Sequence, residues 1–207
     1  SEMCIRDRNK GLDFSIDYVK RFNNDFDMSF KGTFTYAHNK VLEYDEPDFQ
    51  KYPNISRVGH SVDQQLLYIA ERLFIDDSEV QRNPKQNLGG WVSGGDIKYK
   101  NLPDVNGNYD NVIDSNDRQY TGMPTTPEIV YGFGPSFRYK KFDFSFFFQG
   151  AARVSIMMNG IHPFGAEGTR NVLQFIADDY WSETNQNIYA EYPRLSKRDN
   201  ENNTEAS

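Results

Sequence analysis

What this chain has little of narrows the field before any motif is considered. Cysteine occurs once, at Cys4, so no internal disulfide can form and no thiol chemistry is suggested. Long apolar runs are missing. Nothing approaches the ~18 consecutive apolar residues of a membrane-crossing helix, and mean hydropathy is −0.77. Basic residues are the minority, 23 Lys+Arg against 30 Asp+Glu, giving a formal charge of −7. That balance argues against a nucleic-acid partner, because phosphate binding needs a basic surface. His38, His60 and His162 show no metal-ligand spacing and read as ordinary loop histidines. No signal peptide is visible. Residues 1–8 (SEMCIRDR) match nothing that follows and read as a non-native segment, so the chain is expected to be an internal piece of a longer protein.

Aromatic residues are plentiful, 16 Phe and 13 Tyr, and they alternate. Around residues 130–150 (VYGFGPSFRYKKFDFSFFFQG) the rings Tyr131, Phe133, Phe137 and Tyr139 fall on every second position, with Pro135 interrupting them. After the Lys140-Lys141 turn, Phe142, Phe144, Phe146 and Phe148 do the same. Period-two patterning on two successive segments is the mark of paired strands. A tight turn fixes the register: Tyr139 opposite Phe142, Arg138 opposite Asp143, Ser136 opposite Ser145. One face is then aromatic, and the other carries a cross-strand charge pair. A soluble sheet would hide such a face under a second layer. A membrane barrel turns it to lipid and keeps Arg138, Asp143 and Gln149 toward the lumen. Pro135 removes a ladder donor and suggests a bulge, and Lys141 is a poor residue for a primed turn. Low hydropathy does not exclude a barrel, because alternation halves the hydrophobic signal and polar loops dilute it.

An earlier hairpin has the same form. Leu12, Phe14, Ile16 and Tyr18 alternate with Asp13, Ser15 and Asp17, and Phe26 to Tyr36 mirror them across a three-residue turn, Asn23-Asn24-Asp25. This register sets Phe22 against Phe26, Arg21 against Asp27 and Asp17 against Lys31. Lys20 falls on the apolar face near the turn, where it can snorkel. A very long connection, residues 38–127, separates the hairpins, and a second excursion covers 153–196; short turns at one rim and long loops at the other are a barrel's habit. Within the connection, residues 66–74 read as strand or helix and Asp76-Asp77-Ser78-Glu79 as a capped helix start. Residues 171–181 have helical spacing. The polar tail, 197–207, reads as disordered.

One loop has the composition of a metal site. Counting Asn106 as position 1, oxygens fall at 1, 3, 5, 7, 9 and 12: Asn106, Asn108, Asp110, the Val112 carbonyl, Asp114 and Asp117. This is the spacing of an EF-hand-type calcium loop. Position 1 is Asn, position 12 is Asp rather than Glu, and the turn glycine is replaced by Asn111, which tolerates a left-handed turn. Three carboxylates predict weak affinity, roughly 10⁻⁴–10⁻³ M. The alternative is an Asn/Asp-rich turn that satisfies its own backbone. No cofactor is required, and calcium is the one candidate.

The motifs occur in an ordered series: TYAHNKVLEYDEP, GDIKYK, VIDSNDR, YGF, YKKFDFSFFFQG, Trp181 behind an acidic helix, then Tyr192-Pro193-Arg194. Together they resemble the SusC/RagA-type TonB-linked outer-membrane transporters, from about residue 10 to 195. The resemblance implies a mainly β fold: antiparallel strands of a partial transmembrane barrel, hairpins at about 10–37 and 128–152, and long extracellular loops carrying short helices. In that family about twenty-two strands enclose a plug, a SusD-like lipoprotein caps the outer mouth, and TonB supplies energy for import of glycan or peptide. Residues 9–196 would form part of such a barrel in outer-membrane lipid, without plug or TonB box. The family's acidic loop usually reads DVNGDG, and two extra residues here shift its register.

Two other classes compete. A secreted calcium-dependent carbohydrate-binding β-sandwich would account for the strands, the Asn/Asp loop, Trp91 and Trp181. A glycoside hydrolase would need paired carboxylates; Asp76-Asp77 and Asp178-Asp179 are neighbours whose side chains point apart. No enzyme activity is expected. Trp91 and Trp181 are expected to pack inside the loop layer rather than stack on sugar, and Gly94-Gly95 reads as a turn.

Overall fold

The computed structural model describes residues 5–157, 171–196 and 201–203. The chain divides into two compact units, the first from Ser1–Asp45, Arg57–Gln65 and Gly122–Met157, the second from the remainder. In chain order the strands are β1 (Ile5–Arg21), β2 (Phe26–Tyr44), β3 (Gln65–Tyr68) and β4 (Ala70–Leu73). Helix α1 (Asp77–Arg82) precedes β5 (Lys85–Gln86), β6 (Ile97–Tyr99), β7 (Val112–Ile113) and β8 (Arg118–Thr121). Then come β9 (Ile129–Tyr139), β10 (Phe142–Ser145), β11 (Phe148–Ala152) and the short α2 (Gln174–Asp178). The chain is thus mainly β, and residues 66–74 resolve into strand.

The first unit is one antiparallel sheet in the order β1-β2-β9-β10, with β11 also on β9. Both expected registers are present: Arg21 faces Asp27 and Asp17 faces Lys31, while Tyr139 faces Phe142 and Arg138 faces Asp143. The Asn23 side chain accepts from the amides of Asp25 and Phe26 and closes the three-residue turn. Phe22 stacks on Phe26 at 5.1 Å, and Lys20 reaches back over the Phe22 ring. In the other turn the left-handed residue is Lys140 (φ 55), not Lys141.

Two differences from expectation have physical reasons. The first hairpin runs to Ile5 and Tyr44, well past the 10–37 read from alternation. Alternation stops where the residues turn polar, but the ladder does not: Arg8 still faces Lys40, and β2 gains further partners in the loop, where Val41 donates to His60 and Gly59 to Val41. Pro135 makes a gap rather than a bulge. Ser145 faces Ser136 before it and Phe148 faces Phe133 after it, so no residue is inserted. The Pro135 carbonyl accepts from Phe146, so its missing donor falls on the β10–β11 side and splits one long strand in two.

The second unit has a small core of Tyr68, Leu73, Ile97, Tyr99, Ile113, Trp181 and Ala190. Short two-stranded pairings, β3 with β8, β4 with β6 and β5 with β7, surround it. As read from sequence, Asp76 caps α1 by accepting from the Glu79 amide. Gly95 takes φ +81 with the Trp181 ring packed where a Cβ would stand. Within the tail expected to be disordered, Asn202 is fully buried and hydrogen-bonded. Its composition predicted disorder, but buried strand groups give its amides a place to bind.

Candidate functional site: the two faces of the strand sheet

The sheet's registers carry through all four chain passes, so each face can be followed row by row. One polar row reads Arg21, Asp27, Arg138, Asp143, and the next Val19, Ser29, Ser136, Ser145. Charges alternate in sign along the first row, the arrangement that favours rather than strains a sheet face. The Arg138 guanidinium forms its ion pair with Asp27, on the strand not anticipated, while Asp143 remains its register partner on the other side. These rows line an open trough of about 620 Å³. Gln149 continues the same face beside Gly132, Thr33 and Ser15. The three residues expected to face a lumen therefore share one polar face.

The opposite face is aromatic and uncovered. Phe142 is 78% and Phe144 63% exposed, and no second layer lies over this face among the described residues. A soluble sandwich would bury these rings, so that alternative loses its core. The apolar residues also end on common rows. Leu12, Tyr36, Ile129 and Ala152 form one edge; Phe26, Tyr139 and Phe142 form the other. β9, which runs from edge to edge, has 11 residues. At ~3.3 Å per residue that is about 36 Å, and a ~45° tilt brings it to about 25 Å, the height of an outer-membrane barrel's apolar band. Beyond the first edge the same face turns basic, with Lys10 beside His38 and Arg8 beside Lys40.

The acidic loop is arranged around backbone amides. Asp104, which is outside the expected ligand set, accepts from the amides of Asn106 and Asn108, and Asp110 accepts from Val112. Asp114 and Asp117 form a reciprocal capping box, and Asp117 also takes the Leu102 amide at 2.7 Å. Asn111 adopts the left-handed turn (φ 60). Among the described residues Asp110, Asp114 and Asp117 do not gather as a metal-holding group. Burial pushes the Asp117 carboxyl above its ordinary value, against the lowering effect of the Leu102 and Asp114 amides. Asp110, Asp114 and Asp117 thus each accept from a backbone amide. We expect Asp114→Ala and Asp117→Ala to lower the melting temperature equally with calcium and with chelator; a loss seen only with calcium would return the loop to the cation reading.

The other candidates have structural surroundings. His38 pairs with Glu128, which Arg153 also holds, and His60 contacts Gln64; His162 lies outside the described residues. Trp181 is buried as expected, but Trp91 is 70% exposed, with the Arg194 guanidinium 4.7 Å from its ring. Of the carboxylate pairs, Asp76 caps a helix and Asp77 accepts from Ser93 and Gly94. Asp178 accepts from Gln174 and Asp179 from Glu191.

Comparison with known proteins agrees with this picture. No protein-family model matches the chain. It is 27% identical over 196 residues to TonB-dependent receptor P3 of Formosa agariphila, covering 92% of this chain and 19% of that protein. It is 29% identical over 151 residues to TonB-dependent receptor P26 of the same organism, covering 69% and 14%. The chain thus spans less than a fifth of the curated relatives it matches. Among solved structures, the RagAB peptide transporter superposes with a TM-score of 0.58 at 18% identity, covering 95% of this chain and 21% of that one. The RagAB peptide importer in its open-open state gives 0.56 at 14% identity, covering 94% and 20%. The SusC/RagA-type resemblance read from the motif series is supported by these relatives, and the antiparallel architecture is that of the RagA-type fold with the barrel not closed in this chain.

Proposed function

We propose that the first unit is an arc of a transmembrane β-barrel in an outer-membrane importer. The importer would draw energy through TonB, work with a SusD-like lipoprotein, and carry glycan or peptide cargo. The observation that carries this is the flush aromatic band: four passes share the Leu12-Tyr36-Ile129-Ala152 row at one edge and three share the Phe26-Tyr139-Phe142 row at the other, at a height matched to hydrocarbon. The curated relatives named as TonB-dependent receptors support the transport reading. In the proposed orientation the polar face meets the lumen, and the long connections, residues 38–127 and 153–196, lie outside the cell.

Single-cysteine labelling of the full-length parent in lipid tests the facing. Cysteines at 143, 145 and 149 should react with charged aqueous reagents, and those at 144, 146 and 148 should be protected. The reverse pattern would remove the barrel assignment and leave a soluble binding module in its place.

A further inference from the structure

Strand β6 has one partner, β4, and its other edge is closed in an unusual way. Phe74 donates to the Asp96 carbonyl, and Lys100 donates to Ile69, so the alternate residues Asp96 and Lys100 face the β4 side. Ile97 and Tyr99 therefore turn their main-chain groups to the other edge, where no strand lies among the described residues. Three side-chain carboxamides lie there instead. Gln86 accepts from the Tyr99 amide at 2.7 Å and donates to the Ile97 carbonyl at 3.0 Å. Asn202 also donates to that carbonyl at 3.0 Å, and Asn203 accepts from the Ile97 amide at 3.0 Å. A carboxamide presents the same donor and acceptor as a peptide group, so the set reproduces what a neighbouring strand would offer.

The slot is built for this pair. Gln86 donates to the Asn202 side chain at 2.6 Å, and the Asn203 amide donates to the fully buried Asp96 at 2.9 Å. Asp96 is itself fixed by Arg194 through two hydrogen bonds of 2.7 and 3.1 Å. Gln86 is 7% exposed and Asn202 fully buried. The two asparagine side chains are held by directional hydrogen bonds to Ile97, Gln86 and Asp96. Such an attachment selects by side-chain identity.

We propose that the β6 edge is a receptor slot for an asparagine pair, filled here in cis by Asn202-Asn203 acting as a latch. The latch shields the edge from strand addition by any extended segment. The partner chemistry the slot fits is a peptide turn with two consecutive asparagines, since Asn202-Asn203 fill it from a single 3₁₀ turn, Glu201–Asn203.

Hydrogen exchange on the full chain tests this. In Asn202→Ala/Asn203→Ala the Ile97 amide should exchange at least tenfold faster, while Tyr99, held by Gln86, stays protected. The milder Asn203→Ala should affect Ile97 alone, which keeps the test valid if the double variant unfolds. Adding the free peptide Asn-Glu-Asn-Asn-Thr, blocked at both ends, should restore Ile97 protection, and the same peptide with Ala-Ala should not. Unchanged Ile97 exchange in both variants, or equal rescue by the two peptides, would overturn the proposal.

Discussion

Replacing Phe133 by Arg should destabilise the folded parent in a bilayer by about 2–4 kcal/mol, the cost of a cation at the midplane of a barrel's lipid face. Phe133 sits in a central row of the aromatic band, beside Gly32 and Phe148 and inside both ends of β9 (Ile129–Tyr139). Thr33→Arg is the matched control, one residue along β2 and on the polar face, opposite Ser15 and Gly132. A lumen-facing surface is wet, so that change should cost less than about 1 kcal/mol. Denaturant unfolding of both variants in lipid vesicles measures the difference. Equal costs would mean that the two faces see the same medium, and the membrane assignment would fail.

The second large effect is expected at Glu79, in the other unit. Its carboxylate takes a forked pair of bonds from Arg72, accepts the Ile75 amide at 2.9 Å, and lies 3.5 Å from Lys98. The side chain is only 12% exposed. Hydrogen bonding from Arg72 chiefly, and from Ile75, holds its pKa down to about 2 against the opposing effect of burial. A depression of that size corresponds to about 3 kcal/mol at neutral pH. Because the folded value lies below the unfolded one, this stability is complete above about pH 4.5 and disappears as pH falls through about 2. Glu79→Gln should therefore lower the opening free energy of α1 amides by about 2–3 kcal/mol at pH 7, where breaking a desolvated pair leaves Arg72 uncompensated. The gap between variant and parent should close in acid. Asp117 contributes the opposite slope, since burial raises its value: its contribution is fullest below the ordinary carboxylate range and falls as pH rises. That slope is common to parent and variant, so their difference isolates Glu79. A pH-independent difference would show that the charge of Glu79 is not what stabilises the helix.

The parts of this structure legible in the sequence are those governed by near neighbours. Both hairpin registers follow from alternation and a short turn, down to Asp17 against Lys31. The cap at Asp76 and the left-handed Asn111 follow from local chemistry in the same way. The pairing of β2 with β9 does not, because nearly a hundred residues separate them and no local pattern encodes which strands meet. That is why Arg138 was matched with Asp143 while its ion pair goes to Asp27. The latch was hidden for a different reason. Asn202 and Asn203 stand in a polar tail whose composition argues for disorder, and their value lies in fitting one strand edge that only the folded unit creates. In the acidic loop, spacing alone could not tell carboxylates that converge on a cation from carboxylates that each cap a backbone turn.

The order of the sheet has one more consequence. With β1 at one end and β10 at the other, each outermost strand shows half its peptide groups to whatever comes alongside. In a closed cylinder, flanking staves occupy both margins and nothing is left over. Made by itself in water, the same arc would be a tile with two adhesive sides and a greasy back, inclined to stack with its own copies. The chain's solubility is therefore a property of the company it keeps, not of its mean hydropathy.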